Sequence, residues 1–168
     1  MSRFLDEVEA NVPALRRYAR GLTRNREMAD DLVQDCLERA IRKKGLWRPT
    51  GTIRSWLFRI LLNIHRNNLR QGRRRPAPVA LEELGTEPVH WAEQPSRLAL
   101  AETAAALETL PLEQREALLL VVLEEVSYAE AAAILGIPIG TLMSRIGRAR
   151  ARLRTLTDNP APRLRTVK

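Results

Sequence analysis

Arginine is the side chain whose type and spacing could do chemistry in this sequence. Between Arg54 and Arg75 there are seven arginines and no acid: Arg54, Arg59, Arg66, Arg70, Arg73, Arg74 and Arg75. A second group, Thr141, Ser144, Arg145, Arg148 and Arg152, falls on one side of a helix stepped at roughly 100° per residue. Guanidinium forks fit phosphate oxygens and the O6/N7 edge of guanine, so both groups point to recognition of a polyanion. The residues that make and break bonds are scattered instead. His65 and His90 stand apart, Cys36 is the single cysteine, and no metal-ligand or phosphate-loop spacing occurs. No enzyme, cofactor, metal site or small-molecule substrate is expected.

The chain has 168 residues, a formal net charge of +8 and a pI of about 10.8, a balance that suits nucleic acid or an acidic membrane surface. Charge is also segregated. From Pro76 to Ser96 the sign inverts, with Glu82, Glu83, Glu87 and Glu93 and no lysine or arginine. One cysteine permits no internal disulfide and leaves the redox compartment open. The N-terminus is charged and lacks the apolar stretch of a signal peptide. The most apolar run, Ile60 to Leu62, is far too short for a bilayer. A soluble cytoplasmic protein without membrane insertion is expected.

The elements that must carry these arginines are helices. Ala, Leu and Arg dominate, aromatics make up only 4%, and no long run alternates apolar and polar residues. The expected fold class is all-α, in two small helical domains: 1–75 and 97–156. Between them residues 76–96, with Pro76, Pro78, Gly85, Pro88 and Pro95, read as a flexible acidic linker, and 157–168 as a disordered tail. In the first domain one helix starts at Asn25, an N-cap, and runs to Gly45. Ala29, Leu32, Val33, Cys36, Leu37, Ala40 and Ile41 form its apolar face. Asp31, Gln34, Asp35, Glu38 and Arg42 fall off that face, and Cys36 on it reads as a small core residue. A second helix spans about Ile53 to Gln71, burying Ile53, Trp56, Leu57, Ile60, Leu61 and Ile64. Cations near its C-terminus suit the macrodipole, but seven arginines exceed that need, which favours a phosphate-facing surface. His65 reads as one more polar residue of this basic helix.

The second domain carries a helix-turn-helix pattern. Leu110-Pro111 opens a helix with proline at its first position, followed by a core stripe of Leu112, Ala117, Leu118, Val121 and Val122. Ser127-Tyr128-Ala129-Glu130 fits a capping box in which Glu130 reaches back to the serine backbone. Gly136 suits the left-handed turn position, Ile137-Pro138-Ile139 forms the turn, and a last helix runs from about Gly140 to Leu156. On that helix Leu142, Ile146, Ala149 and Leu153 form a core face, roughly a quarter-turn from the cationic one.

With these motifs in order, the chain resembles the extracytoplasmic-function sigma factors of the sigma-70 family over nearly its full length. Ala29-Asp30-Asp31-Leu32-Val33-Gln34-Asp35 is similar to the family's region 2.2. The resemblance implies that Asp31, Gln34 and Asp35, with Glu38 at the margin, dock on the β′ clamp helices of core RNA polymerase. Arg54 to Ile60 followed by Asn63 resembles regions 2.3 and 2.4, implying −10 contacts by Trp47, Asn63, Arg66, Asn67, Arg70, Arg73 and Arg74. Leu110-Pro111, Gln114-Arg115-Glu116 and Ser127 to Ala132 resemble region 4.1. Gly140 to Arg145, with Arg148 to Arg150, resembles region 4.2. That implies −35 reading by Thr141, Ser144, Arg145, Arg148 and Arg152, with the domain seated on the β flap. Two positions depart: Asn67 stands where many members carry an acid, and Met143 replaces a common lysine.

What the resemblance implies is promoter-directed transcription initiation, with an anti-sigma factor as a further partner. The pocket for an extruded −10 base would lie around Lys44 to Thr52, where Trp47 either stacks on the base or packs on the core. An ordinary helix-turn-helix regulator explains only the second domain. A sigma-like decoy for an anti-sigma factor should have lost the arginines of its recognition face. The sequence leaves the relative placement of the two domains open.

Overall fold

The computed structural model describes residues 3–48, 51–74 and 103–157. These residues are helical, with no strand among them. Helix α1 spans Arg3–Thr23, α2 Arg26–Arg42 and α3 Ile53–Arg74, with a short 3-10 turn at Lys44–Leu46. A helical piece at 103–108 (α4) leads into α5, Leu112–Val122, α6, Tyr128–Leu135, and α7, Ile139–Thr157. The sequence-expected linker, 76–96, and the tail beyond Thr157 lie outside the described residues, as does His90.

Local chemistry sets most boundaries. Asn25 Oδ1 accepts from the Met28 amide at 2.9 Å, so α2 starts where its cap demands. It ends at Arg42, three residues before Gly45, which sits inside the 3-10 turn. Pro111 is the cap of α5 and not its first helical residue: at ψ 143 its backbone is extended, and its carbonyl accepts from Gln114 and Arg115. Gly136, at φ 67, closes α6. Its amide and that of Ile137 donate to the carbonyls of Ala133 and Ala132, a Schellman closure that residues with a Cβ resist. From there α7 leaves at 101° to α6, inside the range of a helix-turn-helix corner. No single helix among the described residues is long and apolar enough to cross a membrane.

Helices α1, α2 and α3 pack on one another, as do α5, α6 and α7. The two bundles also pack together, α1 against α5 and α3 against α6, so that one apolar cluster runs through both. This explains side chains that a one-faced helix would leave out. Phe58 and Leu62 are fully buried on α3, because α3 is covered by α1, α2 and α6. On α5, Leu119 and Leu120 are buried while Val122, expected in the core, is 59% exposed. Ile41 likewise lies outside the core, at 53% exposure. Leu37, Trp56, Val121 and Leu153 are half-buried against it. Cys36 is buried with its Sγ donating to the Leu57 carbonyl, and burial pushes its thiol pKa up to about 12, which makes it inert.

Candidate nucleic-acid interface

Three surfaces follow from these helices. The first is the outer face of α2. Asp30, Asp31, Gln34, Asp35 and Glu38 are all exposed there, one turn apart, because Ala29, Leu32, Val33 and Cys36 occupy the opposite side. Gln34 donates to Glu38 along the face at 3.3 Å. The sequence-expected acidic docking surface is therefore brought together on one element.

The second surface is the start of α7. Leu142, Ile146 and Ala149 are buried, which turns Ser144, Arg148, Arg150 and Arg152 to solvent. Thr141, Ser144, Arg145 and Arg148 line a shared polar cleft with Pro111, Glu113 and Gln114. Arg145 is the exception to free presentation. Its side chain is only 19% exposed and ion-paired with Glu113 at 3.2 Å. Glu113 itself is largely exposed, so this pair is a weak restraint that solvent and salt screen.

The third surface, the basic face of α3, departs from expectation. Asn63, Asn67 and Arg70 are exposed. Arg73 and Arg74 belong to α3, but their side chains lie outside the described set, and Arg75 lies outside the described residues. Arg66 is only partly exposed, and its guanidinium is engaged within the molecule. It forms a two-pronged pair with Glu116 of α5, Nε to Oε1 at 3.1 Å and Nη2 to Oε2 at 2.7 Å. That bond raises the Arg66 pKa further. Arg54 donates to the carbonyl of Glu124 at 2.6 Å and to its carboxylate at 3.3 Å, and Arg59 donates to the Ala133 carbonyl at 2.8 Å. Part of the arginine-rich, acid-free helix is thus neutralised from a distant part of the chain.

Glu116 and Glu124, 1% and 2% exposed, are the residues that sequence reasoning missed. Arg17 of α1 completes the second cluster, its Nε and Nη2 reaching the two oxygens of Glu124 at 3.3 and 3.0 Å. Glu125, which follows, sits at φ 52, a strained setting for a residue with a side chain, at the turn where Glu124 enters the interface. Tyr18 donates its hydroxyl to the Glu116 carbonyl at 3.0 Å, and its ring meets Phe58 edge-on at 5.2 Å. Burial, reinforced by Glu116, holds that phenol well above its ordinary pKa. Glu130, expected to complete a capping box, does half of that: its amide donates to Ser127 Oγ, but its carboxylate crosses to Ser55 and Thr52 of the other bundle. His65, read as one more polar residue of the basic helix, is buried with Nε2 unpartnered, and burial lowers its pKa.

Of the two readings of Trp47, the structure shows packing on the core. The side chain packs on Phe4 of α1, centroids 6.1 Å apart, and Phe4 in turn meets Trp56 and lies under Lys44. Trp47 also walls a cleft of about 560 Å³ with Phe4, Asn11, Thr52 and Arg54. Such a cleft, lined by both aromatic and polar side chains, has room for a nucleobase.

Comparison with known proteins agrees with this layout. Residues 8–62 match the model of the Sigma2 domain of PhyR, and residues 100–153 match that of Sigma-70, region 4. The ECF RNA polymerase sigma factor EcfG of Rhodopseudomonas palustris (strain TIE-1) is 40% identical over 154 residues, 90% of this chain and 83% of that protein. Among solved structures, the sigma factor RpoE in complex with the anti-sigma factor NepR, from Bartonella quintana, superposes with a TM-score of 0.79. It is 34% identical and covers 96% of this chain and 100% of that one. CnrH in complex with the cytosolic domain of CnrY gives 0.70 at 32% identity, over 94% and 89%. With its helix-turn-helix, its acidic α2 face and these relatives taken together, the chain belongs to the ECF RNA polymerase sigma factors.

Proposed function

We propose that this chain binds core RNA polymerase and carries it to promoters through two separate readers, under the control of an anti-sigma factor in the cytoplasm. The observation that supports this most is the pairing of two unlike surfaces in one chain, an exposed acidic face on α2 and a cationic helix-turn-helix face on α7. A DNA-binding regulator needs only the second. In this reading residues 1–75 hold the polymerase and the −10 strand, 76–96 link, and 97–156 read the −35 duplex, with 157–168 as a tail.

Asp31, Gln34, Asp35 and Glu38 meet the β′ clamp helices, while the second bundle sits on the β flap. Thr141, Ser144, Arg145, Arg148 and Arg152 enter the major groove, where a bidentate arginine–guanine contact discriminates by about 1–3 kcal/mol. Asn63, Arg66, Asn67, Arg70, Arg73 and Arg74 hold the −10 strand. An extruded base enters the Trp47 cleft, where contacts offset an unpairing cost of a few kcal/mol. The protein supplies recognition and no bond-making chemistry. Exposed apolar side chains, among them Met28, Ile41, Leu46, Val122 and Met143, suit coverage by an anti-sigma factor; the relatives RpoE and CnrH were solved in complex with NepR and CnrY.

A second reading is a decoy that binds an anti-sigma factor alone, which the match of residues 8–62 to the Sigma2 domain of PhyR favours. The solved PhyR chains are at most 24% identical here and speak to fold only. Against the decoy stand Arg148, Arg150 and Arg152, exposed on α7. The deciding experiment is pull-down of core polymerase by the purified chain, followed by run-off transcription on genomic fragments. New start sites are expected. Folded protein that fails to bind core would leave the decoy or a simple regulator, which direct DNA binding then separates.

A further inference from the structure

Helix α7 presents an apolar side chain where a base reader is expected to be polar. Leu142, Ile146 and Ala149 are buried. At roughly 100° per residue, the arc facing away from them runs from Met143 through Gly147, Gly140 and Ser144 to Arg148. All five residues of that arc are exposed. Arg145 lies outside it, on the flank nearer α5, where it is 19% exposed and paired with Glu113 at 3.2 Å. The first turns of the outward arc therefore carry no cation, and positive charge enters only at Arg148.

What those turns offer instead is a hydroxyl, Ser144, and a thioether. Met143 is 53% exposed, and Ile139, one turn earlier on the same flank, is 49% exposed. The space beside Met143 is open: a Cβ added at Gly140 or Gly147, on the neighbouring turns, would meet nothing within 4 Å. Packing within the bundle thus leaves more than half of this side chain to another surface.

The N-terminal residues of a recognition helix meet base edges in the major groove. Guanine presents two acceptors there, cytosine a donor, adenine one of each, and thymine an acceptor with its C5-methyl group. A thioether has no donor and is a weak acceptor, so Met143 gains nothing from the guanine edge. The thymine methyl is the apolar group available in the groove, and an unbranched, polarisable side chain can settle against it.

We propose that Met143 is a specificity-determining residue of this chain, packing on the C5-methyl group of a thymine in the −35 duplex with Ile139 beside it. Guanine reading falls to Arg148, one turn further on. The proposal rests on the sigma-factor reading and sharpens it, by giving the start of α7 an apolar code and its middle a cationic one. Coverage of Met143 by an anti-sigma factor and contact with thymine are alternative occupancies of the same side chain.

The test uses holoenzyme reconstituted from core polymerase and the full chain. Its affinity is measured for a promoter duplex recovered by run-off transcription, for a scrambled duplex, and for copies in which each −35 thymine in turn is replaced by deoxyuridine, which removes only the methyl group. One replacement should weaken wild-type binding about fourfold, the weight of a single buried methyl group. Met143→Ala should lose that sensitivity. Met143→Lys should lose it too, prefer guanine at the same step, and steepen the salt dependence by about one unit of log–log slope. Alanine and lysine are both good helix formers at this exposed position, so the fold is kept. A wild type that prefers the promoter duplex yet ignores every deoxyuridine overturns the thymine contact alone, as does Met143→Ala with undiminished sensitivity. A −35 element with no thymine in either strand does the same. No preference for promoter over scrambled duplex defeats the sigma-factor reading itself, and the contact with it.

Discussion

Helices α3 and α7 are both long, both arginine-rich and both assigned to DNA, yet the molecule treats them differently. On α7, Arg148, Arg150 and Arg152 are exposed and make no ion pair among the described residues. On α3, Arg54 and Arg66 are bound by acids that lie 70 and 50 residues further along the chain. The helices differ in which face is covered. Among the described residues, α7 is buried chiefly by α5 and α6 of its own bundle, so its cationic side stays outward. The α3 helix is buried from both sides, and its second cover, the α5–α6 side of the other bundle, brings buried carboxylates with it. Arginine content alone therefore does not mark a surface as open to DNA. What a guanidinium does is decided by which acid the fold delivers to it.

The contrast can be broken most sharply at its two arginines. Arg66→Ala leaves Glu116 buried without a partner, an arrangement that costs about 3–5 kcal/mol unless the bundles part to hydrate it. Thermal melting should show either that loss or a switch from one transition to two. Arg148→Ala should leave melting within about 0.5 kcal/mol of wild type. Its effect should appear in binding to −35 duplex, weakened by about 1–3 kcal/mol. Equal effects of the two variants on stability would erase the distinction between the helices. A smaller change is Tyr18→Phe, which removes the hydroxyl donated to the Glu116 carbonyl and should cost about 0.5–1.5 kcal/mol by denaturant unfolding.

The smallest expected effect is a pH dependence. His65 of α3 faces Glu116, Arg115 and Arg66, and burial holds its pKa below the ordinary 6.5. The unfolded chain therefore takes up the proton first as pH falls. Stability attributable to His65 is full above about pH 6.5 and declines as pH drops below it towards the lowered folded value. Melting temperature should fall from pH 7 to pH 5, and His65→Gln should flatten that slope. An unchanged slope in the variant would move the acid sensitivity to another group.

Much of this was legible in the sequence, and the gaps have physical causes. Asn25 as a cap, the apolar face of α2, Gly136 at the corner and the two faces of α7 are local features, set by residues within a turn or two of each other. Those held. Glu116, Glu124, Arg17 and Tyr18 act across 50 to 107 residues of separation, and nothing in their neighbourhoods announces a partner. One signal was available. Ala117 to Val122 is apolar on every side of the helix, a pattern of elements covered from more than one direction. It implied that α5 sits between two bodies, and that the acids flanking the run would be drawn inside. The same cause explains His65, which reads as polar by its neighbours and is buried by a distant helix.

The central claim is a division of labour between the acidic face of α2 and the cationic face of α7. It is tested most directly by titrating core RNA polymerase with three full-length proteins: wild type, Asp31→Ala with Gln34→Ala, and Arg145→Ala. The account requires core affinity to drop in the first variant and to stay near wild type in the second, whose deficit appears only on promoters that depend on their −35 element. Loss of core binding in Arg145→Ala, with the α2 variant unaffected, would contradict it.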